Sequence, residues 1–306
     1  MTALSLSGVF APVLTPVDED LNIDLPLYIE FCRWLLDNGC HGLVLFGTNS
    51  EATSFSVPER MAALDAVIEA GIPAQKLVVG NGTAAVSDGI DLARHAIAAG
   101  CHRVMTLPPF YYPKVSDDGL YRAFAHIIER VGDPSLEMYF YHIPQVSGIA
   151  LSADLLDRLA SDFPGVAAGV KDSTGNVENL RRFHQVAGAH PGFSVFCGTE
   201  SLLLANLRGG GAGCISGMAN LIPDQIRAFY DTWQAANADG RQEQLNWLRN
   251  AVLGTGFNVI AAAKTLTAAR TSAAGWAQVR PPLVALTTDQ QHTLRAAVAA
   301  AEPVLA

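Results

Sequence analysis

Short apolar runs rich in β-branched residues recur about every 20 to 35 residues over most of the chain, with stretches of helical apolar spacing between them. The runs begin near Val9, Leu43, Leu77, Val104, Leu136, Val166, Ser194 and Cys214. No hairpin signal joins neighbouring runs, so the strands must pair in parallel through right-handed crossovers. Eight strands alternating with helices predict an α/β chain of the (β/α)₈, TIM-barrel type. At 306 residues the chain is long for one domain but within reach of such a barrel.

Two segments expose the repeat directly: Asp37-Asn38-Gly39-Cys40-His41-Gly42 and Ala98-Ala99-Gly100-Cys101-His102-Arg103. Each reads as a helix closed by glycine and followed by a strand. Their Cys-His pairs then precede the strands, on the barrel face opposite the usual active site, which argues against a metal centre. From Pro223 onward strand-like runs vanish, and helical stretches such as Pro223–Trp233, Gln242–Leu253 and Gln290–Ala301 follow. The predicted division is a barrel over residues 1–222 that carries the site and a helical extension over 223–306 packed on it, since no Ser- or Pro-rich linker separates them.

A net charge of −9 with no run of Lys and Arg disfavours nucleic acid as a partner. No signal peptide opens the chain, and nowhere do eighteen apolar residues run uninterrupted, so a cytoplasmic, non-membrane protein is expected. The five cysteines form an odd set without a C-x-x-C pair and are read as reduced. Small-molecule partners remain.

Only four lysines occur, and Lys171 alone directly ends an apolar strand, Val166-Ala167-Ala168-Gly169-Val170. A lysine there points into an apolar barrel mouth, where desolvation lowers an amine's pKa. A pKa lowered from about 10.4 to about 7.5 would give several hundredfold more neutral nucleophile at pH 7. The bland alternative is an ion pair with Asp172 or Glu51. Three further segments share that face: the turn Gly47-Thr48-Asn49-Ser50-Glu51, the strand end Tyr139-Phe140-Tyr141-His142-Ile143-Pro144, and the loop Pro108-Pro109-Phe110-Tyr111-Tyr112-Pro113. The turn offers amides and hydroxyls for a carboxylate. The glycine run Gly209–Gly213 precedes a strand and reads as a turn rather than a phosphate cradle.

Taken in order, Gly47-Thr48-x-x-Glu51, Tyr141-x-x-Pro144, Gly169-Val170-Lys171-Asp172 and Gly213-x-Ile215-Ser216 resemble the dihydrodipicolinate synthase and N-acetylneuraminate lyase family of pyruvate-dependent lyases. The resemblance runs from Gly8 to about Pro223, and the helical tail suits the family's length. It implies a class I, Schiff-base aldolase or lyase that condenses pyruvate with an aldehyde, or cleaves a 2-keto acid to pyruvate. Lys171 would carry the imine and Tyr141 would shuttle protons. Thr48 would link Tyr141 to a tyrosine lent by a neighbouring subunit, Tyr111 or Tyr112. Thr48, Asn49, Ser50 and Ile215 would seat the pyruvate. The resemblance also implies a homotetramer, and neither a metal nor another cofactor, because the protonated imine is itself the electron sink.

Alternatives are dihydrodipicolinate synthase proper, a 2-keto-3-deoxy sugar acid dehydratase, and a silent barrel that senses a keto acid. Asn49 and Ser50 depart from the family's second hydroxyl and glycine. The segment after Tyr-x-x-Pro, Gln145-Val146-Ser147-Gly148, lacks the arginine of dihydrodipicolinate synthases. That absence predicts an uncharged aldehyde partner.

Overall fold

The computed structural model describes residues 5–271 and 273–302. Every expected run becomes a strand that begins within one residue of its predicted start: β1 (Gly8–Pro12), β2 (Gly42–Leu45), β3 (Leu77–Gly80), β4 (Arg103–Thr106), β5 (Glu137–His142), β6 (Ala167–Asp172), β7 (Ser194–Cys197) and β8 (Gly213–Ile215). All neighbours pair in parallel, and β8 returns to β1 to close the barrel. The fold is a (β/α)₈ barrel followed by helices.

Strand residues are buried on both faces, as parallel sheets require. The partly exposed exceptions are Arg103 and Glu137 at the bottom of β4 and β5, which pair at 2.9 Å. Inside the barrel Phe10, Val44, Val78, Met105, Tyr139, Ala168, Phe196 and Ile215 pack together, with a side chain from each strand. The outward strand residues join the helices in a second, larger core. Local chemistry sets the helix starts. Ser56, for example, caps the Val57–Glu69 helix and closes a capping box with Glu59.

The Pro223–Asp231 helix packs against β1. Beyond it the expected Gln242–Leu253 helix is two, Ala238–Leu245 and Trp247–Gly254, and then come Val259–Thr271 and Thr288–Ala301. The tail is stitched to the loops above the barrel. Gln242 donates to the Glu200 carbonyl and accepts from the Leu204 amide. Arg280 donates to the carbonyls of Leu21 and Ser54 and to Glu59. Among the described residues no single helix is long and apolar enough to cross a membrane.

Candidate active site

β5 and β6 set the centre of the site. Tyr141 and Lys171 are register partners across these strands. Strict alternation would not bring them together, because Ala168 faces the barrel interior and Val170 faces the helices only after a register shift opposite Met138 and Tyr139. A bulge of this kind re-aims the side chains beyond it, and here it turns Lys171 inward. Gly169 makes room for the crossing, since a Cβ there would lie 2.4 Å from the Ser194 carbonyl oxygen and 2.9 Å from the Tyr139 ring.

Lys171 is 3% exposed, and its Nζ lies 4.0 Å from the centroid of the Tyr141 ring. Among the described residues it pairs with no carboxylate. Of the two candidate anions, Asp172 faces the other way and accepts from Thr174 and Asn179. Glu51 is taken by Lys264 of the Val259–Thr271 helix, at 2.8 Å, and by the Arg280 amide, at 2.6 Å. The bland reading of Lys171 as a structural ion pair therefore fails.

The Tyr141 hydroxyl accepts a hydrogen bond from Thr48 Oγ1 at 3.4 Å. Burial alone pushes this phenol up. The charge of Lys171, with hydrogen bonding from Thr48, Ser173 and Lys171, outweighs burial, and the net direction is down. A phenol with a lowered pKa beside an amine is a competent proton shuttle.

Lys171, Tyr141, Thr48, Asn49 and Ile215 all line one cavity of about 420 Å³. Asn49 reaches it because Gly217 has no side chain: a Cβ there would lie 2.4 Å from Asn49 Nδ2. The amides of Thr48 and Asn49 donate to no protein acceptor among the described residues. Ser50 does not line this cavity. Its hydroxyl donates to the Val13 carbonyl and accepts from the Gly47 amide, which shapes the turn from behind. Tyr111 and Tyr112 stand 79% and 72% exposed on their loop, away from the cavity of their own chain. A second, mostly apolar cavity of about 400 Å³ adjoins the first and shares Thr48 and Tyr141 with it.

Where the family arginine is missing, the substitutes are occupied. Gln145 Nε2 donates to the Ser173 carbonyl at 2.7 Å, and Ser147 Oγ, 3.1 and 3.0 Å from the carbonyls of Ile143 and Ile149, spends its one proton on them. A basic residue does reach the cavity from elsewhere in the chain: Arg249 of the Trp247–Gly254 helix lines it. The sequence reading missed this residue. Its signal was there: Leu245, Leu248 and Val252 form the buried stripe of these helices, and Arg249 lies beside them at i+4 from Leu245.

A barrel lysine without an anion partner, walled in beside a phenol and a turn of free amides, defines a class I, Schiff-base lyase or aldolase. The chain belongs to the dihydrodipicolinate synthetase family, whose profile matches residues 5–301. A protein described as an uncharacterized DapA-like lyase of Chloroflexus aurantiacus is 30% identical over 294 residues, 95% of each chain. Dihydrodipicolinate synthase from Agrobacterium tumefaciens superposes with a TM-score of 0.86 at 33% identity, covering 96% of this chain and 98% of its own. YagE of E. coli K12, crystallised with pyruvate, superposes with a TM-score of 0.85 at 25% identity, covering 97% and 98%.

Proposed function

We propose that this enzyme makes and breaks a carbon–carbon bond next to an imine between Lys171 and pyruvate. The observation that carries the reading is Lys171 itself, buried in the cavity without a carboxylate partner and 4.0 Å from the Tyr141 ring. Its neutral amine adds to the keto carbon of pyruvate, and the carbinolamine loses water to give the iminium. A C3 proton then leaves, and the bonding pair becomes an enamine. The enamine carbon attacks the aldehyde, and hydrolysis frees the 2-keto acid product. Cleavage runs the same steps backwards. Tyr141 moves the protons at each stage, held by Thr48.

The free amides of Thr48 and Asn49 suit the pyruvate carboxylate, and Ile215 bounds its methyl side. The active form is a homotetramer in which Tyr111 of one subunit completes the relay of the next. Two features support this: Tyr111 sits at φ +95°, a strained conformation for a tyrosine, and the apolar cavity beside Thr48 has room for an aromatic ring. Five buried, unbridged cysteines suit a reducing, cytoplasmic setting.

Exchange of the pyruvate methyl protons in D₂O tests the reading without knowledge of the aldehyde. NMR should show catalysed exchange with the wild type and none above background with Lys171→Ala. Equal exchange by both proteins would refute it.

A further inference from the structure

Resting on that reading, we infer that Arg249 is an anion subsite for the far end of the substrate, so that the 2-keto acid handled here carries a second, distal carboxylate. Arg249 comes from the tail and lines the same cavity as Lys171. Half-buried there, its guanidinium makes no ion pair or hydrogen bond among the described residues. A cation facing a cavity with its donors unused is built for a ligand anion.

One internal anion lies close. Glu200 is fully buried, and Arg249's charge opposes the burial that pushes this carboxyl up. They do not pair: Glu200 Oε2 bonds Ser216 Oγ, and Oε1 has no partner at all. The guanidinium's donors stay free for a ligand.

Pyruvate does not account for Arg249. Its carboxylate is matched by the free amides of the Thr48 turn, on the β2 side of the cavity. Arg249 is instead close enough to the loop after β7 for its charge to act on Glu200. At about 420 Å³ the cavity lies within the ordinary size of a small-molecule site, and a three-carbon acid leaves much of it unfilled. A single guanidinium matches a carboxylate bidentately.

In the cleavage direction the substrate is then a 4-hydroxy-2-keto dicarboxylic acid. Its C3–C4 bond breaks, the C4 hydroxyl proton passes to Tyr141, and C4 leaves as an aldehyde that bears the distal carboxylate. The bonding pair enters the iminium to form the enamine. Protonation at C3 and addition of water then release pyruvate.

The probes are 2-oxoglutarate and 2-oxoadipate, set against the singly charged 2-oxohexanoate, as competitors of pyruvate methyl exchange. Wild type should bind one of the dicarboxylates roughly 10- to 100-fold more tightly than 2-oxohexanoate, the range a charge-assisted hydrogen bond gives. Arg249→Gln should erase this preference, read as the ratio of the competitors' inhibition constants within that variant, while Arg249→Lys should keep part of it. Exchange by the wild type with no dicarboxylate preference would overturn this inference alone, as would a preference that survives Arg249→Gln. Loss of pyruvate exchange in a folded Arg249→Gln protein would overturn it too, by placing Arg249 at the pyruvate end. No exchange by the wild type would remove the imine reading and this inference with it.

Discussion

Replacing Lys264 by Met should destabilise the protein far more than removing a surface charge does. The Lys264–Glu51 pair is buried, with side chains 1% and 0% exposed, and its atoms are 2.8 Å apart. At an effective dielectric of about 20 such a separation is worth about 6 kcal/mol, most of which offsets the desolvation of two ions. Burial lowers the Lys264 pKa, opposed by Glu51's charge and hydrogen bond. Lys264→Met leaves Glu51 charged in an apolar place with only the Arg280 amide as donor. The expected cost is about 3–5 kcal/mol. Removing both charges, with Glu51→Gln and Lys264→Met together, should recover much of that loss. Urea unfolding at fixed protein concentration measures all three variants. A loss under about 1 kcal/mol for Lys264→Met, or a double variant as unstable as the sum of its singles, would refute the reasoning.

Tyr141→Phe should lower turnover by roughly 10²- to 10⁴-fold with the melting curve unchanged, and wild-type rates would demote the phenol to packing. Glu59 is held down at about 2 by its hydrogen bond to Arg280, against an ordinary value of 4.5, despite partial burial. A depressed carboxyl adds stability that is present above its unfolded pKa and lost as pH falls towards about 2, so acid titrations should show Arg280→Gln removing part of that loss. Light scattering should find a tetramer, and Tyr111→Ala should cut pyruvate exchange without unfolding the chain; a fully active monomer would exclude the shared site.

The barrel was legible because buried parallel strands are short apolar runs, and all eight began within a residue of their predicted starts. Lys171 was legible for the same reason, as the one lysine directly ending such a run. The direction of its side chain was not, since it depends on a bulge set by pairing with Met138 and Tyr139. The role of Glu51 was hidden too: its partner Lys264 lies 213 residues away, and no local pattern joins a loop after β2 to a tail helix. Arg249 was marked only by its place beside the apolar stripe of the tail helices. Apolar periodicity marks the buried face of the tail helices but not the cavity that this face meets. The break at Asn246, where one expected helix becomes two, carries no Pro or Gly to announce it.

The most direct test of the account is to trap the imine. Incubation with pyruvate and borohydride, followed by digestion and mass spectrometry, should place a reduced pyruvyl group on the peptide that holds Lys171 and nowhere else. Labelling at Lys76, Lys114 or Lys264 instead, or no label with pyruvate or any other 2-keto acid, would contradict it.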